Sequence, residues 1–159
     1  MIDGAALVKD LLSDSWTKAN TNSREPTIKE WYEYEKEIGV EDTDRVLVYD
    51  RDTLESQASL GNGVREVVYS GSVDLRTDYS KNQGLLMENE AKRILRANVN
   101  YIVSASESFG TAGQQVQIEV VRVSHFSNNR ESETNKIHKN FRKIIDFNLT
   151  SFGEEIWWY

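Results

Sequence analysis

Residues 64–98 constrain the fold more than any other part of the chain. They read VREVVYSGSVDLRTD and then, almost at once, SKNQGLLMENEAKRILRAN. In the first stretch Val67, Tyr69, Val73 and Leu75 fall on one face, while Glu66, Ser70, Ser72, Asp74 and Arg76 fall largely on the other. That is the period-two pattern of a strand with one side in a core. Gly71, in the middle, signals a bulge or a bend. In the second stretch Leu86, Met87, Ala91, Ile94 and Leu95 form a stripe along a helix predicted at 80–98, with Glu88, Lys92, Arg93 and Arg96 towards water. Ser80 suits the N-cap, and Glu88 stands four residues before Lys92, the favourable order for an ion pair.

The flanking segments repeat this logic. Ala5, Leu7, Val8, Leu11 and Leu12 predict a first helix over 4–14 capped by Asp3, and a polar loop then runs to Pro26. In residues 27–44, TIKEWYEYEKEIGVEDTD, Ile28, Trp31, Tyr32 and Tyr34 fit either the core face of a strand or one side of a helix carrying Glu33 and Lys36; an extended segment with irregular ends is the reading taken. RVLVYD at 45–50 is β-branched and bounded by aspartates, hence a strand, and 51–63 read as a polar connection closing on Gly61-Asn62-Gly63. NYIVSAS, from 100, begins a further short strand. Residues 115–126 and 138–152 predict a long hairpin, with Phe141, Ile145, Phe147 and Leu149 on one face. The alternation slips phase between Val120 and Val121, where a bulge is expected. Four stretches, near 17–27, 51–63, 104–114 and 127–137, read as long polar loops, a length that usually marks function. The expected fold is α+β: a largely antiparallel sheet of four to five strands, with the N-terminal helix and one main central helix on one face. The other face keeps Val64, Val68 and Ile144 among polar residues, a composition suited to a partner. Residues 1–159 are expected to form a single domain with an aromatic tail at 153–159.

Composition narrows function. The chain holds 19 Lys and Arg against 26 Asp and Glu, a formal charge of −7, which argues against clamping a nucleic-acid backbone. With no cysteine there is neither disulfide, thiolate zinc site nor cysteine nucleophile. No apolar run approaches the ~20 residues of a membrane helix, and residues 1–16 do not resemble a secretory signal, so a soluble, non-secreted protein is expected. Asn148-Leu149-Thr150 is then a chance sequon. His125 and His138 lack ligand spacing, no phosphate loop or nucleophile elbow occurs, and Asp42, Asp44, Asp50 and Asp52 lack the spacing of a calcium loop. No catalytic residue, cofactor site or metal site is assigned, and the chain is expected not to be an enzyme.

Aromatic residues stand where chemistry is absent. The sequence ends GEEIWWY, and Trp31, Tyr32 and Tyr34 crowd an otherwise charged segment. Each such ring carries roughly 150–250 Å² of surface, and Trp and Tyr dominate interface hot spots. Trp157, Trp158, Tyr159, Trp31, Tyr32 and Tyr34 are therefore the interface candidates.

The order of elements resembles the tail-terminator (tail-completion) proteins of long-tailed viruses. Two stretches carry the likeness: VREVVYSGSVDLRTDYSKNQGLLMENEAKRILRANV, where a strand with Arg76 and Asp78 runs into a helix with Glu90 and Arg93, and QVQIEVVRVSHFSNNRESETNKIHKNFRKIIDFNLTSF, a hairpin with a late apolar strand. The 51–63 segment and the EEIWWY end are not part of that pattern. The resemblance implies a virion protein of the tail or neck, assembled in the host cytoplasm. It would form a homo-oligomeric ring, expected to be a hexamer, that caps the tail tube and joins it to the neck connector or stopper protein. DNA would only pass through the lumen, and no membrane would be involved. A head–tail connector or stopper of the neck is the nearest alternative. A small acidic metal-dependent enzyme built on Asp44, Asp50, Asp74 and Asp78, or a monomeric adaptor taking a peptide on a sheet edge, are others.

Overall fold

The computed structural model describes residues 2–31, 44–57, 64–104, 112–131 and 137–155. Helix α1 spans Gly4–Ser15, and Asp3 caps it by accepting from the Ala6 N–H. One 3-10 turn, Lys18–Thr21, follows within the expected loop. Strands β1 (Thr27–Glu30), β2 (Arg45–Gln57) and β3 (Val64–Thr77) precede helix α2 (Lys81–Ala97), and β4 (Asn100–Ile102), β5 (Gln115–Glu131) and β6 (Ile137–Glu155) come after it. They form one six-stranded sheet in the order β1-β2-β3-β6-β5-β4. The fold is α+β as expected, but the sheet has six strands rather than four to five. It is also mixed, because β1 pairs parallel to β2 while the other pairs are antiparallel.

Alternation in β3 and β6 sets which side is buried. Register places Val67 beside Ser151, Tyr69 beside Leu149, Gly71 beside Phe147 and Val73 beside Ile145. These positions face both helices. Leu7, Val8, Leu11 and Leu12 of α1 and Met87, Ala91, Ile94 and Leu95 of α2 join Val46, Val48, Val116 and Ile118 in one buried cluster with them. Burying each such side chain contributes about 1.5–3 kcal/mol before entropy is set against it. Both helices thus lie over the same side of the sheet.

Gly71 belongs here because of a close approach. A Cβ built on it would lie 2.5 Å from Phe147 Cζ and 2.7 Å from the Tyr49 carbonyl oxygen. The bulge expected at Gly71 lies instead in its neighbour β2, where register shifts between Asp50 and Asp52. The second expected bulge is present: β5 slips against β6 between Val120 and Arg122.

Four expectations need correction. Residues 51–57 are strand, not connection, and 127–131 likewise continue β5 rather than forming a tip. Apart from Leu54 these stretches are polar in sequence, so no alternation of apolar residues betrays them. Gly153–Glu155, expected in the tail, still belongs to β6. Finally, Glu88 is buried rather than facing water.

Candidate assembly surface

The face of the sheet opposite the helices is a ladder of charged rows. Arg45, Arg76 and Arg142 stand side by side on β2, β3 and β6. Like charges directly opposite one another are destabilising, so this row needs a counter-charge. Asp74, one row further, supplies it. Its carboxylate, 1 % exposed, accepts from Arg76 Nη2 at 3.0 Å and Arg142 Nη2 at 2.8 Å. The same hydrogen bonding raises the already high pKa of Arg142. Asp146, two rows away, is a second node. It accepts from Ser72 Oγ at 2.7 Å and Arg122 Nη2 at 2.9 Å, and Arg51 from the β2 bulge reaches to 3.7 Å. Between these rows Leu47 is buried, whereas Leu54, further along β2, is 67 % exposed. Val68 and Ile144 lie on this face as expected and are half-buried. The side chain of Val64 lies outside those described.

Two acids tie α2 to its surroundings on the other side. Glu88 receives Lys92 Nζ at 2.6 Å and Lys143 Nζ at 3.2 Å. Burial opposes its ionisation, yet hydrogen bonds and charge from the two lysines outweigh this and hold its pKa below the usual value. His125 Nδ1 lies 3.0 Å from Lys143 Nζ at the edge of this group. Glu90 accepts from the Thr17 N–H, Asn20 Nδ2 and Arg93, pinning the 3-10 turn to α2. Asp44 plays a comparable part at the start of β2, accepting from Arg24, Thr77 Oγ1 and Gln83 Nε2. Asp50 accepts from the Ala5 N–H at 3.0 Å, a second carboxylate at the α1 N-terminus. Burial, reinforced by repulsion from Asp3, raises its pKa.

The expected interface aromatics divide sharply. Trp31 is 48 % exposed and meets Tyr49 edge-to-face, with ring centroids 6.4 Å apart. Tyr32, Tyr34, Trp157, Trp158 and Tyr159 lie outside the described residues. The acids of the enzyme reading are not brought together. Asp44, Asp50 and Asp74 each serve a separate set of donors, and no group able to hold a metal occurs among the described residues. The aspartate nodes were missed at the sequence level. Their signal was the i, i+2 pair Asp74/Arg76, which shares one strand face, and the i, i+4 pair Arg142/Asp146, which does the same.

No helix among the described residues is long and apolar enough to cross a membrane. No protein-family model and no curated protein matches the sequence.

Proposed function

We propose that this chain is a structural ring subunit of a viral neck, a tail terminator that caps the tail tube and meets the connector above it. The observation behind this reading is the order of elements around one sheet. A helix comes first, then strands, then a strand running directly into the central helix, then a long hairpin whose late strand closes the core. The acidic balance suits a lumen past which DNA slides without sticking. A head-to-tail contact uses two different patches on each subunit and stops growth when the ring closes. Trp31, beside Tyr49, and the terminal Trp157, Trp158 and Tyr159 are assigned to contacts with neighbours.

The test is the mass of the purified protein across a concentration series, by light scattering behind a sizing column, with imaging of any oligomer. A closed oligomer with a central channel, recruited to purified tail tubes, supports the terminator. A ring that binds connector but not tube moves the chain to the connector or stopper role. A monomer that tubes do not recruit refutes the proposal.

A further inference from the structure

Among the described residues, each long edge of the sheet is left uncovered over part of its length, at opposite ends. On the β2 side, β1 pairs only with Arg45–Val48. Among the described residues no strand covers the outer edge of β2 from Tyr49 to Gln57. On the β5 side, β4 pairs with Gln115–Gln117, and the Ile118 N–H donates to the Val99 carbonyl. Beyond that, from Glu119 to Glu131, no described strand covers the outer edge. Following register through β3 and β6, Asp52 stands level with Glu119. From that line the open part of β2 runs towards the end where β4 sits, and the open part of β5 runs the other way.

An open edge presents a row of backbone donors and acceptors that only another strand satisfies in full. We propose that the β2 edge of one copy pairs antiparallel with the β5 edge of the next, so that the sheet continues from subunit to subunit. This rests on the ring reading and names its interface.

Four features favour a second copy of this chain as the occupant. First, β2 and β5 run in opposite directions in the sheet, so two copies related without a flip meet antiparallel. Second, the short strands do not obstruct. A neighbour displaced along the strands carries its β4 past the end of β2, while β1 occupies only the part of β2 that the neighbour does not need. Third, each open stretch has its bulge near the inner end, at Arg51 and at Val121, leaving Asp52–Gln57 and Arg122–Glu131 regular. Fourth, one register satisfies both faces. Setting Ser56 beside Ser124 of the next copy keeps the helices of both copies on the same side. It also places Leu54, otherwise exposed, beside Phe126, and Glu55 beside His125, with no like charges opposed.

The chain contains no cysteine, so introduced thiols are the only ones present. Ser56→Cys and Ser124→Cys, made as separate proteins, place single thiols on opposite edges of the sheet. Mixed and treated with a short bismaleimide, they are expected to give a covalent dimer that neither protein gives alone. The doubly substituted chain should give a ladder ending at the subunit number of the ring. Asp52→Cys with Asn128→Cys is an independent pair in the same register, should either serine variant fold poorly. A dimer from Ser124→Cys alone would mean two-fold β5–β5 pairing and overturn the inference. Absence of cross-links in a sample that scatters as an oligomer would also overturn it, while leaving the ring intact. A monomer without cross-links, not recruited by tail tubes, refutes both.

Discussion

Replacing Gly71 with alanine tests the packing of the core at its tightest point. Gly71 does not have a positive backbone φ, so alanine could adopt its conformation without strain. In open space the substitution would stabilise the fold by about 0.4–1 kcal/mol, because alanine has less freedom to lose on folding. Space is what forbids it. The new methyl would meet Phe147 Cζ at 2.5 Å and the Tyr49 carbonyl oxygen at 2.7 Å. Phe147 is fully buried and cannot swing to solvent, and the carbonyl belongs to the paired strand β2. Overpacking of this kind costs about 1–3 kcal/mol, and two rigid obstacles place G71A near the upper end. For a chain of this size about 3 kcal/mol lowers the melting temperature by roughly 6–12 °C. Thermal and urea unfolding of G71A, F147L and the double variant read the outcome. Phe147→Leu alone costs about 1–2 kcal/mol for the space it leaves. Together the two should cost at least ~1 kcal/mol less than their sum, because the leucine vacates room the methyl needs. An unchanged or raised midpoint for G71A, or strict additivity in the double variant, would refute the close approach.

Asp74→Asn should destabilise by about 2 kcal/mol, less than for a fully buried pair because Arg76 and Arg142 keep some water; urea midpoints measure it, and loss below ~0.5 kcal/mol would deny the node its role. Glu88→Gln should flatten the acid limb of stability. The depressed pKa of Glu88 gives stability that is present above the unfolded value of about 4.3 and lost as pH falls through the folded one. Melting curves from pH 7 to pH 2 should therefore converge for parent and variant only at the acid end. Asp50→Asn has the opposite sign. The raised pKa means the folded state loses stability as pH climbs from about 3.9 through the folded value, and asparagine can still accept from the Ala5 N–H. The variant should melt higher than the parent at pH 7 and match it at pH 3.

What the sequence disclosed and what it hid divide along one physical line. Alternation and helical stripes report burial, so most elements that border the core were legible: the odd-numbered faces of β3 and β6, both helices with their Asp3 and Ser80 caps, and the slip at Val121, where the alternation changes phase; the short β1 was not, because its segment also fits a helix. In stretches whose residues, Leu54 apart, are polar, the pattern vanishes. Residues 51–57 and 127–131 then resemble loops although, apart from Arg51 in its bulge, they are paired on one side. Buried acids were hidden for a related reason. Glu88 and Asp74 look solvated in a linear pattern, because only one cation of each set, Lys92 or Arg76, is near in sequence, while Lys143 and Arg142, which complete the sets, come from β6. Of the six candidate interface aromatics, only Trp31 is among the described residues, and its exposure suits the role without assigning it a neighbour. The open edges, by contrast, could not be found from aromatic content at all. Their binding groups are backbone N–H and C=O, which every residue but proline carries, so only the pairing of the sheet distinguishes an edge that is closed from one that waits for a strand. In this chain the stretches least legible in the sequence, 51–57 and 127–131, are also stretches whose outer edge no described strand covers, which is where the proposed pairing falls.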